Sequence, residues 1–390
     1  MKKNVNKVKG VKAAVLLGPK DIQIKEFPYP KLEEGSLLIR MEMSGVCGTD
    51  KHGYKGESIQ YAGTEAEIYG PYPAIPGHEN VGFIEEINNS SKPFLDYSGQ
   101  ELRVGDRVAI NPDIQCGKCY DCRNNFGYTW CDNIKSYGHL ACDTPPYLTG
   151  GWAEYMYVFP GSYVYKVPDD LPSELAVLAE PMAVTYGLDM AKGWSALPNQ
   201  GFMSGDSVLV YGVGALGLMH LIKAQWLGAG FIIAIDISDF RLNMAKEFGA
   251  DVLINPKQIN EKERIEVVKS YTDGRGADVV IECVGKPQIV IEGIEMLRKG
   301  GTFLEVGNFV DMGDVSINPH RHLNSKCIRL LGMANLAHIG YVPSMKLFAR
   351  YSKYYNFKQI ITHKYPFEKA EEALKKSMEE DSMKVVITSH

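Results

Sequence analysis

Two textures of apolar patterning divide the chain. Up to about residue 180, short runs such as SLLIRMEM (36–43) and DRVAI (106–110) sit between turns rich in Gly, Pro and Tyr. Short alternating runs bounded by such turns read as short strands. From about 200 to 330 the texture changes. Compact apolar runs (VLVYG, FIIAID, DVLIN, ADVVIECVG, TFLEVG, IRLLGM) alternate with helical stretches (ALGLMHLIKAQWLG, DFRLNMAKEFG, IVIEGIEMLRKGG). Repeated strand–helix alternation predicts a parallel, doubly wound sheet of six strands. The end of the chain carries a helical EKAEEALKKSME (368–379) and a strand-like KVVITS (384–389).

Length and charge narrow the picture. The chain has 390 residues, and single cores stop growing near ~250–300 residues, so two domains are expected. The formal net charge of −5 argues against a nucleic-acid partner, which usually selects a basic surface. No apolar run approaches the ~18–20 residues of a membrane span. The early stretch AAVLL is too short for the core of a secretory signal. A cytoplasmic location is therefore expected, where disulfides are rare. The eight cysteines then read as metal ligands or free thiols.

The run VLVYGVGALG holds Gly212, Gly214 and Gly217 as GxGxxG, directly between an apolar strand and a helix pattern. The spacing suits a dinucleotide. The first glycine makes the tight turn, the second admits a pyrophosphate, and the third lets helix and strand approach. The next strand ends in Asp236, an acid that can accept from both ribose hydroxyls and would repel a 2′-phosphate; NAD is expected rather than NADP. Arg241 follows on the next helix. It suits a surface or adenine-stacking contact, or a phosphate.

Cys116-x2-Cys119-x2-Cys122-x8-Cys131 can close four thiolates around one tetrahedral zinc, a structural site. An iron–sulfur cluster is the chemical competitor. A second constellation is dispersed: Cys47-Gly48-Thr49-Asp50-Lys51-His52, Gly77-His78-Glu79, and Glu180-Pro181. A catalytic zinc takes about three protein ligands and leaves one position open. Cys47 and His78 with Glu79 or Glu180 offer such a set.

Together these motifs resemble the zinc-containing medium-chain dehydrogenase/reductase family. The likeness runs through GVCGTDKH, PGHENVG, GDRV, the four-cysteine lobe, GGWAEY, LAEPMAV, GVGALG, ECVG and KVVIT, nearly the whole chain in order. CGTDKH and AEPMAV look closest to the polyol and threonine dehydrogenase branch; liver-type alcohol dehydrogenases carry a cysteine where Glu180 stands. The resemblance implies an α/β fold: a GroES-like, irregular β catalytic domain (1–181 with 333–390) and a Rossmann coenzyme domain (182–332). It implies one catalytic and one structural zinc per chain, NAD, and a homo-oligomer, dimer or tetramer. Cys47 and His78 would be catalytic zinc ligands, with Glu79 or Glu180 as the third. Asp50 would orient His78 through its distal ring nitrogen. Thr49 would take the proton of a substrate hydroxyl and His52 would pass it towards solvent. The implied reaction is reversible oxidation of a secondary alcohol, polyol or hydroxy-amino acid to a ketone. The rivals are a zinc-free quinone or enoyl reductase of the same superfamily and a non-enzymatic nucleotide-binding zinc protein.

The sequence departs from the family pattern in places. Asn88 stands where a small residue is usual, the segment 88–103 is long, and the last gap of the cysteine lobe is one residue longer than the common pattern. Residues 56–75 are extra. That last stretch, with Tyr61, Tyr69 and Tyr72, reads equally as a lid over the substrate mouth or as a solvated insertion. Cys283, His220, His320 and His322 read as an ordinary thiol, a satisfied or surface histidine, and polar-loop histidines.

Overall fold

The structure, a computed structural model, describes residues 10–89, 92–124, 131–193, 201–333 and 338–389. The basic first nine residues and 125–130 of the cysteine segment lie outside the described residues.

The chain opens on an antiparallel hairpin, β1 (Val11–Gly18) and β2 (Asp21–Phe27). Strand β3 (Ser36–Gly45) runs into helix α1 (Gly48–Lys55), and β4 (Glu79–Asn88) pairs back on β3. Strand β5 (Arg107–Ile110) adds to β4. A short ladder, β6 (Asp113–Ile114) with β7 (Lys135–Ser136), brackets helix α2 (Tyr120–Asn124). Strand β8 (Tyr155–Val158) joins β3, and β9 (Val164–Lys166) joins β5. Three short helices follow: α3 (Ser173–Ala176), α4 (Ala179–Val184) and α5 (Gly187–Gly193).

The strand–helix alternation comes next. It runs β10 (Ser207–Tyr211), α6 (Ala215–Trp226), β11 (Phe231–Ile235), α7 (Asp239–Glu247), β12 (Val252–Ile254) and α8 (Glu261–Ser270). It continues with β13 (Ala277–Glu282), α9 (Pro287–Met296), β14 (Leu297–Glu305) and β15 (Arg329–Gly332). These strands make one parallel six-stranded sheet in the order β12-β11-β10-β13-β14-β15. The order reverses beside β10, the switch point where doubly wound sheets open a ligand crevice. The chain then returns through α10 (Tyr341–Tyr351), β16 (Ile361–Pro366), α11 (Ala370–Ser377) and β17 (Lys384–Thr388). Strand β17 pairs with β3, completing the sheet β16-β17-β3-β4-β5-β9 with β8 on β3.

Burial explains the two textures. In β10, Val208 and Val210 pack with Leu218 and Ile222 on one face, while Leu209 and Tyr211 pack with Ile233 and Ile294 on the other. Helices cover both faces, so the strand is apolar throughout. Strand β3 is also covered on both sides: Leu38 joins Val15, Trp152 and Leu374, and Leu37 and Ile39 join Ile84 and Val108. One expectation is corrected. The helix read as IVIEGIEMLRKGG stops at Met296, and Leu297 already begins β14. Lys326 Nζ donates to the carbonyls of Ile294 (2.6 Å) and Leu297 (3.0 Å), satisfying the helix end.

Candidate active site

Cys47 follows β3 directly and stands at the N-cap of α1. Its backbone N–H donates to Asp50 Oδ2 at 2.8 Å, and Gly77 N–H donates to Asp50 Oδ1 at 3.2 Å. One buried carboxylate therefore holds the backbone beside both Cys47 and His78. Gly77 has a φ of +92°, and a Cβ there would lie 2.4 Å from Trp152 Cδ1; both the conformation and the close approach require glycine. Glu79 opens β4 opposite Gly45. Cys47, His78 and Glu79 thereby offer ligand atoms that all lie within 4.8 Å of one another.

The donors fit a zinc ion. Glu79 Oε2 is buried without a hydrogen-bond partner, a costly state for a carboxylate oxygen. Burial works to raise the Cys47 thiol, but the neighbouring His78 outweighs it and the pKa falls below the ordinary range. Burial works to lower His78, but the charges of Cys47 and Asp50 hold it well above its usual value. A thiolate and an imidazole side by side with a carboxylate are a zinc donor set. Glu180, on α4, is buried outside this trio, and burial together with Glu79 raises its carboxyl well above the usual range.

The expectation for Asp50 is corrected. Both its oxygens accept from backbone N–H groups, and His78 Nδ1 donates to neither. Asp50 acts on His78 through the Gly77 backbone and through its charge. Thr49 Oγ1 lies 3.6 Å from Cys47 Sγ. His52 Nδ1 is hydrogen-bonded to Glu57, and Phe309 stands edge-on to its ring at 5.3 Å. Phe309 follows the carboxyl end of β14, so the parallel sheet and the Cys47 site face each other here.

Two residues were missed from sequence. Lys384, in β17, forms a buried ion pair with Glu79 and donates to Val46 O at 3.2 Å. Burial works to lower its ammonium, but Glu79 and Cys47 hold the pKa above the usual value. The available signal was a lysine heading an otherwise apolar terminal strand. Lys384→Met is expected to cost about 3–5 kcal/mol, because it strands a buried carboxylate; urea unfolding checks it, and an unchanged midpoint would refute the pairing as a stabilising one. The other is His139, whose ring lies 5.4 Å from that of His78. Burial and the His78 charge push its pKa down to about 4, which keeps it neutral. No local motif marks it.

The glycine motif shapes the tight turn from β10 into α6. Gly212 has a φ of +85°, and a Cβ on Gly217 would lie 1.8 Å from Gly212 O. Gly214 caps α6, and a Cβ there would meet only Arg241 Nη1 at 3.9 Å. Asp236 Oδ2 accepts from Val213 N–H and Oδ1 from Ser238 N–H, each at 2.9 Å, which fixes the carboxylate beside the glycine turn. Arg241 lies beside the glycine turn, anchored to the far end of the chain. Its Nε donates to Ser382 O at 3.1 Å and its Nη2 to Glu379 O at 3.0 Å, carbonyls of the turn after α11.

The four lobe cysteines also converge. Their sulfurs lie within 4.8 Å of one another. Cys119 N–H and Cys122 N–H each donate to the preceding cysteine sulfur at 3.4 Å, and Cys116 N–H donates to Cys131 Sγ at 3.3 Å. N–H groups of Lys118 and Cys119 hold the Cys116 thiol down at about 6. Burial and its sister thiols push Cys122 up to about 12. Four sulfurs this close need a cation between them before all can ionise, and zinc meets that need.

His220 is fully buried with Nδ1 3.1 Å from Leu216 O, and Cys283 Sγ lies 3.8 Å from the same nitrogen. His322, expected in a polar loop, is buried; its Nδ1 accepts from Asn318 N–H at 3.1 Å, and its ring packs beside Arg321 and Glu295. No helix among the described residues is long and apolar enough to cross a membrane.

Comparison with known proteins agrees with this geometry. The alcohol dehydrogenase GroES-like domain matches residues 33–169, and the zinc-binding dehydrogenase family matches 215–348. The chain is 29% identical to sorbitol dehydrogenase of Bacillus subtilis over 97% of both chains. It is 34% identical to L-threonine 3-dehydrogenase of Pyrococcus furiosus over 90% of both. The crystal structure of an alcohol dehydrogenase from Thermotoga maritima superposes with a TM-score of 0.86 at 29% identity, covering 97% of this chain and 99% of that one. A GroES-like unit with a zinc donor set, joined to a Rossmann sheet with an NAD cradle, makes this chain a member of the zinc-dependent alcohol and polyol dehydrogenase family.

Proposed function

We propose that the protein oxidises a secondary alcohol, polyol or hydroxy-amino acid to the ketone, reversibly, with NAD. The observation that carries this is the meeting of the Cys47–His78–Glu79 donor set with the carboxyl ends of the parallel strands, across Phe309. When bound, zinc supplies the Lewis acidity that makes a hydroxyl easier to deprotonate, and NAD accepts the hydride.

The chain's own residues do the rest. Cys47, His78 and Glu79 would hold the metal, with the buried Glu180 near enough to feel the charges of Glu79 and His78. Thr49 accepts the substrate proton and releases its own towards His52, since a hydroxyl is too weak a base to keep it. Gly212, Gly214 and Gly217 bind the pyrophosphate at the α6 N-terminus, and Asp236 accepts from the adenosine ribose. Arg241 braces the cradle against the turn after α11. The four lobe cysteines hold a second, structural zinc. The chain divides into a catalytic domain, 1–181 with 333–390, and a coenzyme domain, 182–332; the return of β16 and β17 to β3 supports that division. A cytoplasmic homo-oligomer, dimer or tetramer, without nucleic-acid or membrane partners, completes the reading.

The polyol and hydroxy-amino-acid classes follow from the sorbitol and threonine dehydrogenase relatives. The test is the absorbance of reduced nicotinamide, followed with NAD and a panel of polyols, L-threonine and simple secondary alcohols. Turnover on at least one class is expected, and turnover on none refutes the proposal.

A further inference from the structure

Helix α1 ends at Gly56, whose φ of +76° is left-handed, and a Cβ there would lie 2.6 Å from Pro19 Cγ. The chain therefore doubles back. Gly56 N–H donates to Gly53 O and Glu57 N–H donates to His52 O, both at 3.1 Å. This reversal returns the Glu57 side chain to the last turn of the helix, where Oε2 is hydrogen-bonded to His52 Nδ1. Residue 57 grips residue 52 twice, once by main chain and once by side chain. Lys55 Nζ lies 3.8 Å from the other Glu57 oxygen. The stretch after Glu57 is fastened to the loop that carries Phe309: Ala62 N–H donates to Asp311 Oδ2 at 2.7 Å, and Asp311 N–H donates to Ile59 O at 3.3 Å.

We propose that Glu57, supplied by the extra segment 56–75, is a positioning residue that fixes the tautomer and orientation of His52 for proton transfer. This rests on reading His52 as the outer member of the relay. A neutral imidazole has one N–H nitrogen and one accepting nitrogen, and the partner of one decides the role of the other. With Glu57 accepting from Nδ1–H, Nε2 is the nitrogen left to receive a proton. The transfer balances: one proton arrives at Nε2, the ring is briefly a cation held by Glu57, and a proton then leaves Nε2 for water, so the ring ends neutral with its Nδ1–H still on Glu57. His52 is only partly buried, at 24% side-chain exposure, so that water is within reach. Phe309 keeps the ring from turning away.

The test uses the zinc-loaded full chain. Histidine-selective 15N labelling, with His52→Gln to assign the signal, should show His52 with its proton on Nδ1. Glu57→Ala should lose that preference, and Glu57→Gln should keep it, because the amide oxygen still accepts. With NAD and an alcohol that turns over, Glu57→Ala should lower kcat about tenfold while both KM values stay within about twofold. Its solvent deuterium isotope effect should rise, and Glu57→Gln should restore most of the rate. An unchanged tautomer in Glu57→Ala overturns the proposal. So does an unchanged kcat in Glu57→Ala while His52→Gln is slow, which leaves the relay reading intact. Full kcat in His52→Gln overturns the relay reading and this proposal with it.

Discussion

Cys47→Ser is expected to lower turnover by about a thousandfold or more while the protein stays folded. The reason lies in the donor set. A thiolate supplies charge and softness that a neutral serine hydroxyl lacks at neutral pH, and His78 with Glu79 alone hold zinc weakly. The fold has little stake in the sulfur. Cys47 is only partly buried, and its place at the start of α1 is held by its backbone N–H on Asp50. Metal analysis should therefore fall from roughly two zinc ions per chain to roughly one, with an unchanged circular dichroism spectrum and a midpoint close to the parent's. Retention of turnover within about tenfold, with both zinc ions still bound, would remove Cys47 from the ligand set.

Cys119→Ser should do the opposite, losing stability before chemistry. Among the described residues the lobe has little else to hold it: helix α2 buries no residue, and of the four cysteines only Cys131 is buried. The sulfurs and the N–H groups aimed at them make the framework. Structural zinc in small domains contributes about 10–16 kcal/mol of apparent folding energy. Within a larger fold only the local share is lost, about 3–5 kcal/mol, or a fall in Tm of roughly 10 °C. Limited proteolysis should then cut near residues 116–131, and a chelator should reproduce the effect on the parent protein. An unchanged Tm and cleavage pattern would mean the lobe holds without its metal. The two variants together separate a metal that reacts from a metal that braces.

Much of the cofactor chemistry was legible because it is local. The coenzyme cradle sits in one strand–turn–helix, where the Gly212 turn and the Gly217 approach are backbone requirements written within a few residues. The cysteine lobe is legible for the same reason. Cys47 and His78 are farther apart, yet each stands in a short stretch with its own signature. Helix ends were less legible: α9 stops where Lys326, from beyond β14, caps it.

What stayed hidden depends on residues that only folding brings together. Lys384 reaches Glu79 across 305 positions because β17 returns to pair with β3. His139 comes to His78 only because the ladder of β6 and β7 sets its loop against Gly77, where a Cβ on Gly138 would lie 3.1 Å from the Gly77 backbone. Arg241 finds its carbonyls only after α11 has turned back towards the glycine loop. Periodicity and motif spacing express what the neighbouring chain demands, so the sequence by itself determined the two textures, the NAD cradle, the four-thiol lobe and the candidate ligands. Which carboxylate lies with Cys47 and His78 in one cluster, and which groups contact Glu79 and His52, was decided only by the tertiary structure. Those choices are set by burial and by charges meeting across distant strands, and neither leaves a local trace.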